Sequence, residues 1–346
     1  MRYIGCKTNL LENIKEVIDK HTTNATTFCD IFSGTASVAR YFKQWYEIYS
    51  NDLLYFSYCL QKGSIEIKKK PTFDLLKSSL SIQNPITYFN LMDTNEMESL
   101  PQEKRFFQNN YAPIGSRMYI TDSNALRIDF ARNTIEEWNS SGYLTEDEYF
   151  YLIACIVEGI PFVSNIAGTY GAFHKIWDKR AYKLFELFDL PVIKNNKNNK
   201  SFNEDGVELL QRISGDILYI DPPYNERQYL PNYHVLETAA KYDAPKIKGI
   251  TGQRPYESQK STFCSKKTVL SSFEKLIKTA NFEHIILSYN TDGLMNIKDI
   301  EQIMKNYGIA STFEVNYIPY RRFKSKSIET RTDKLKEMLV YIKKEV

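Results

Sequence analysis

Long apolar stretches are missing from this chain. The run Phe150–Val157 is far too short to cross a bilayer. The start, Met1-Arg2-Tyr3-Ile4-Gly5, has no secretion-signal pattern, so no membrane association is expected. Cysteine is scarce and scattered, at positions 6, 29, 59, 155 and 264, with no Cys-x-x-Cys, and the four histidines show no ligand spacing. Neither disulfides nor a zinc or other metal site is expected, and a reducing cytoplasm fits. The three-glycine dinucleotide fingerprint is absent as well. Neither sign of charge dominates: 45 basic against 42 acidic residues leave +3. Bulk electrostatics therefore identifies no polyanionic partner, and only local clustering can.

What is present is an ordinary globular composition, 42% hydrophobic and 25% charged over 346 residues, enough for one large or two modest domains. Thr27–Phe32, Glu47–Ser50, Asp216–Asp221 and His284–Asn290 read as strands, and helical patterns fall between them. That alternation predicts a mostly parallel α/β sheet with helices on both faces. Two later β-rich runs, Ser311–Tyr320 and Glu337–Lys343, are expected to pair as an antiparallel edge hairpin. Between Asp52 and Asp216 the pattern changes. Apolar spacing in Leu126-Ile128-Phe130-Ile135-Trp138 and Tyr149-Leu152-Ile153-Ile156 is helical. It predicts a mainly helical insertion, 61–195, splitting a catalytic domain made of 1–60 and 196–346. The polar tract Lys194–Lys200 reads as a loop at the return.

The most informative residues are Asp221-Pro222-Pro223-Tyr224, which follow the apolar run Ile217-Leu218-Tyr219-Ile220. A strand thus delivers an acid to its carboxyl end, where open α/β sheets place ligands. Two prolines then forbid helix or ladder, and a flat ring follows. An acid, free carbonyls and a ring suit capture of a planar amino-bearing group such as adenine or cytosine. Nearer the start, Asp30-Ile31-Phe32-Ser33-Gly34-Thr35-Ala36 reads as strand, small-residue turn and helix, with Gly34 admitting a ligand close to backbone. Asn51-Asp52 ends the next strand. An acid there suits ribose hydroxyls or caps the following helix.

Taken together, these motifs resemble the adenine-specific DNA methyltransferases of the Dam and FokI type, found in restriction–modification systems. The resemblance covers most of the chain. It runs from Arg2-Tyr3-Ile4-Gly5-Cys6-Lys7 and Leu10-Leu11 through Asp30–Thr35 and Asn51-Asp52 to Gly168–Phe173 with Trp177–Arg180. It continues with Asp221–Tyr229, Tyr233–Glu237 and Leu287-Ser288-Tyr289-Asn290. The resemblance implies a Rossmann-like sheet that binds S-adenosylmethionine, and transfer of its methyl group to the N6 amino group of adenine in double-stranded DNA. Extrusion of the base and direct displacement would accomplish this. It also implies that Tyr3 and Lys7 line the methionine end of the cofactor, with Phe32 and Gly34 beside it. Asp52 would hold the ribose, Asp205 the cofactor adenine, and Asp221 would lie between cofactor and target base. Ala36 stands where a second glycine is usual and is expected to fit on a backbone of negative φ. Rival readings are an RNA adenine-N6 or DNA cytosine-N4 methyltransferase, or an inactive nucleic-acid-binding homologue.

For contact with DNA, the segment after the catalytic turn supplies Arg227, Gln228 and Tyr229. Basic clusters supply Lys248 and Arg254, and Arg321, Arg322 and Lys324. Such residues suit phosphates, and the helical insertion is expected to read base edges. His174 and His234 are expected to be structural or DNA-contacting rather than catalytic. A stand-alone monomer in a bacterial cytoplasm, with any cognate restriction endonuclease acting separately, completes the expectation.

Overall fold

The computed structural model describes Gly5, residues 7–319 and residues 336–346. After α1 (Leu11–His21) come β1 (Thr27–Asp30), α2 (Ser37–Phe42) and β2 (Glu47–Asn51). A helical stretch follows: α3 (Tyr55–Gln61), α4 (Asp74–Leu80), α5 (Pro85–Leu91), α6 (Thr94–Met97), α7 (Phe106–Tyr111), α8 (Asp122–Ser140) and α9 (Glu146–Gly159). The chain then returns through β3 (Lys200–Phe202), α10 (Gly206–Leu209) and β4 (Ser214–Ile220). Next are α11 (Leu230–Lys241), α12 (Val269–Thr279), β5 (Asn281–Asn290), α13 (Ile297–Tyr307), β6 (Glu314–Pro319) and β7 (Lys336–Lys343).

The described strands form one sheet in the order β3-β2-β1-β4-β5-β7-β6. The first five run parallel, and β7 pairs antiparallel with both β5 and β6. This is a Rossmann-like α/β sheet with an antiparallel edge hairpin. Both faces are covered, and the sequence of β4 shows how. Ile217 and Tyr219 face the cluster formed with α1 and α2, whereas Leu218 and Ile220 face the cluster formed with α12 and α13. Alternate side chains of an apolar strand enter opposite cores, as expected for a parallel sheet buried on both sides.

The helices between β2 and β3 form a third core. Leu54, Phe107, Ile128, Tyr151 and Ile156 belong to it, and so do Tyr233, Leu236 and Ala240 of α11. The helical layer therefore shares its core with the helix that follows the Asp221 turn. Local signals set its two main helices. Thr121 accepts from the Asn124 amide to start α8, and Thr145 and Glu148 form a reciprocal capping box at α9, worth about 1 kcal/mol. No helix among the described residues is long and apolar enough to cross a membrane.

Strand order reverses between β1 and β4, so their carboxyl ends leave a crevice at the switch point. Asp30 ends β1 and Asp221 follows β4 immediately.

Candidate active site

A cavity of about 920 Å³ opens at that crevice. Three loops build it, and Asn51 joins them. Its side-chain amide donates to the carbonyls of Ile31 and Glu204, both at 3.1 Å, and its oxygen accepts from the Glu204 amide at 3.1 Å. Asp52 accepts from two backbone amides. Its Oδ2 accepts from the Gly34 amide at 2.9 Å and its Oδ1 from the Leu54 amide at 2.8 Å. The first amides of α3, from Tyr55 and Phe56, donate instead to Glu237 of α11 at 3.1 and 2.9 Å. Asp52 is thus a clamp between loops that also lines the cavity. Burial raises its pKa to about 6, opposed by the amides of Leu54 and Gly34.

Phe32 meets Phe263 edge-on at 5.1 Å, and both line the cavity as its apolar wall. Asp205 caps α10, its Oδ1 accepting from the amides of Val207 and Glu208, and lines the same space. Ala36 departs from expectation. It takes φ +58°, ψ +24°, the left-handed region, at the start of α2. An alanine there carries strain of about 1–2 kcal/mol, partly offset because its methyl group is fully buried in the core beneath.

At the Asp221–Tyr224 turn, Asp221 and Pro223 line the cavity. Lys7 lies 3.2 Å from Asp221 Oδ1 and bonds to Glu337. Glu337 is 2% exposed and accepts from Ser288 Oγ at 3.0 Å. Burial opposes the charge on Lys7, but Asp221 and Glu337 outweigh it and hold the lysine pKa above its ordinary value. Burial lifts Asp221 to about 7, Lys7 pulling down and Glu337 pushing up. Asp221 Oδ1 is buried against Lys7, and the Pro222 carbonyl accepts no backbone hydrogen bond among the described residues. The Asp221 carboxylate and the carbonyl that follows it are thus acceptors on successive residues at the cavity edge. Tyr224 stands beside them. Its ring crosses Tyr289 at 6.3 Å and 88°, lies 5.6 Å from Lys7 Nζ, and is outside the lining of the cavity itself. The tyrosine hydroxyl also explains Gly5, which has φ +80°, and whose added Cβ would lie 3.3 Å from Tyr224 Oη.

Two acids escape a reading of the sequence. Asp30, 1% exposed, lines the cavity; burial and the neighbouring Asp221 raise it to about 8. Glu337 comes from a strand 330 positions after Lys7, and its pairing with Asn290 sets it at the carboxyl end of β5. The only trace of it in the sequence is an acid heading an apolar run, Met338–Ile342.

Of the residues expected to contact DNA, Arg227 and Lys248 are exposed. Gln228 and Tyr229 line the cavity. The Gln228 amide bonds both ways with the Ser261 backbone, at 2.8 and 3.1 Å, and Tyr229 stacks on Tyr233. Arg254 is a correction. It is 5% exposed and its guanidinium is spent on Asp243 at 2.7 and 3.1 Å, so it faces inward. Arg254→Ala should lower stability by about 2 kcal/mol and leave the salt dependence of DNA binding unchanged; chemical denaturation and binding titrations check both. His234 is buried, held near pKa 4 by its burial, with Nε2 3.0 Å from the Tyr170 carbonyl. It ties the Gly168–Phe173 segment to α11. Tyr3, Arg321, Arg322 and Lys324 lie outside the described residues.

Comparison with known proteins adds to this geometry. Residues 3–306 match the model of the D12 class N6 adenine-specific DNA methyltransferases. The type II methyltransferase M.FokI of Planomicrobium okeanokoites is 46% identical over 100% of this chain and 53% of its own length. The modification methylase StsI of Streptococcus sanguinis is 42% identical over 99% of this chain and 52% of its own. The type II methyltransferase M.NlaIII of Neisseria lactamica is 36% identical over 99% and 98%. This chain therefore spans about half the length of the first two relatives and nearly all of the third.

Proposed function

The chain belongs to the D12 class N6 adenine-specific DNA methyltransferase family, and from that premise we propose that it methylates adenine N6 at a specific site in double-stranded DNA, using S-adenosylmethionine. The observation that carries the reading is the Asp221 carboxylate, delivered by β4 to the edge of an acid-lined cavity with the Pro222 carbonyl next in the chain.

The cavity's chemistry fits this cofactor. Asp30, Asp52, Glu204, Asp205 and Asp221 line it against one lysine, Lys7. Such a lining suits a cationic ligand with hydroxyls to donate and disfavours a pyrophosphate. The Gly34 amide, which would meet a phosphate, is already taken by Asp52. Asp52 would hold the ribose hydroxyls, Phe32 and Phe263 would flank the purine, and Asp205 would accept from its amino group. When bound, S-adenosylmethionine supplies an activated methyl group on a sulfonium.

Adenine N6 is a poor nucleophile, because its lone pair is delocalised into the ring, and in a duplex it is out of reach. The base must leave the stack. Asp221 and the Pro222 carbonyl would each accept one amino hydrogen, steering the nitrogen toward tetrahedral geometry and aiming its lone pair. Tyr224 would stack on the extruded base. S-adenosylmethionine would supply the methyl group, the new C–N bond replacing the methyl–sulfur bond, whose electron pair would stay on sulfur. The amino group then loses one proton through Asp221 to water. Positioning and electrostatics supply most of the rate.

Lys7 and Glu337 set the state of Asp221. Glu337→Gln removes a like charge and releases Lys7 to Asp221, so the acid limb of the kcat/KM profile should move below pH 7. Lys7, left with Asp221 as its one acidic partner of the two, then holds that carboxylate more tightly, and kcat should fall about 10-fold. An unmoved limb would remove Glu337 from this role.

We assign target recognition to the helical layer 61–195, and read the protein as a monomer of the bacterial cytoplasm whose restriction endonuclease acts separately. Sequencing of modified bases in DNA from a host expressing the chain tests the whole. N6-methyladenine in one sequence context is expected. N4-methylcytosine, methylated RNA or no modification would each overturn it.

A further inference from the structure

Lys248 and Gln253 exchange two backbone bonds of 2.8 Å and enclose the turn Gly249-Ile250-Thr251-Gly252. All four carbonyls of that turn are met by three side chains of the helical layer. Arg117 donates to the Gly249 and Ile250 carbonyls, both at 3.0 Å. Tyr119 Oη lies 3.1 Å from the Thr251 carbonyl and 2.7 Å from that of Tyr170, sharing its proton. Tyr111 Oη reaches the Gly252 carbonyl at 3.3 Å. Gly252 has φ +65°, and a Cβ there would come 2.7 Å from Arg117 Nε. The base of the turn rests on the first turn of α11, where Gln253 Nε2 donates to the Pro231 carbonyl at 3.2 Å. That helix begins next to Gln228 and Tyr229 of the cavity wall.

A solitary exposed apolar side chain needs no explanation; this fastening does. Water would satisfy surface carbonyls without it. The bonding draws the oxygens toward the scaffold, and the amides of Ile250 and Thr251 donate to no backbone carbonyl among the described residues. The apex therefore presents hydrogen-bond donors around an Ile250 that is 84% exposed. Lys246 and Lys248 flank it, exposed and ion-paired to no described acid. Donors and cations around an apolar tip match a duplex, with phosphates outside and stacked bases within. A fixed turn also loses little freedom on insertion.

We propose that this turn is a wedge. Ile250 enters the duplex beside the target adenine and occupies space the base vacates, while the turn amides, Lys246 and Lys248 hold the flanking phosphates. The inference rests on the reading of the chain as a methyltransferase of duplex DNA. Its test uses the full chain and a duplex bearing the mapped site, with the target adenine either paired or facing an abasic position. A third duplex carries 2-aminopurine at the target. Ile250→Ala, on the surface, should lower kcat/KM on the paired duplex roughly 30-fold and abolish the 2-aminopurine fluorescence rise. On the unpaired target it should return to within about 3-fold of wild type. Equal loss on both duplexes, or no loss on the paired one, overturns the wedge. A wild-type chain that methylates no duplex overturns the parent reading instead, and the fluorescence signal then decides the wedge separately.

Discussion

Asp221→Ala should abolish methyl transfer, by about 1,000-fold or more, while DNA affinity stays within a few-fold of wild type. The substitution deletes the carboxylate at the turn and leaves Lys7 with Glu337 as its partner. The strand, the two prolines and the cavity walls are untouched. Labelled methyl transfer under single-turnover conditions reads the first half, and a DNA-binding titration reads the second. Robust turnover by this variant would sink the mechanism, because the Asp221 carboxylate is the group that would accept the amino hydrogen. The wild type carries a matching pH signature. Asp221 titrates at about 7 in the resting protein and acts as a carboxylate. Activity should therefore be half-maximal near pH 7 and level off about one unit above it.

Asp52→Ala should raise the KM for S-adenosylmethionine about 100-fold and leave kcat within a few-fold. A carboxylate accepting from ribose hydroxyls forms charge-assisted bonds worth about 1.5–3 kcal/mol, which corresponds to roughly 10- to 100-fold in affinity. The same change releases the Gly34 and Leu54 amides and loosens two loops of the cavity, which places the effect at the upper end. Asp52→Asn keeps one acceptor oxygen and should cost less, about 10-fold. Calorimetric titration with the demethylated product checks affinity directly. An alanine variant that binds like wild type would remove Asp52 from the ribose.

Both predictions stand on residues legible in the sequence, and the reason is local. β1, β2, β4 and β5 are short apolar runs that end in polar residues at the sheet's carboxyl edge, so one pattern announces strand and site together. The helical spacing at 126–138 and 149–156 likewise reappears as α8 and α9. What stayed hidden depends on distant partners. β3 is three residues beside a polar tract, and it exists because the edge of β2 offers Tyr49, Ser50 and Asn51 as partners. Ser311 and Thr312 join a short 3-10 turn before β6 rather than the strand. The left-handed backbone at Ala36 cannot be read from an alanine. Arg254 sits in a basic cluster, but counting charges does not say which way they face. Glu337 reaches Lys7 only through the pairing of β7 with β5.

That pairing has a temporal meaning. β7 lies between β5 and β6, both made before it, and it carries the acid that balances Lys7 beside Asp221. During translation the sheet waits with a gap at that position until residue 337 has emerged from the ribosome. A chain that has not yet reached residue 337 holds the loops of the cavity but lacks the acid that pairs with Lys7.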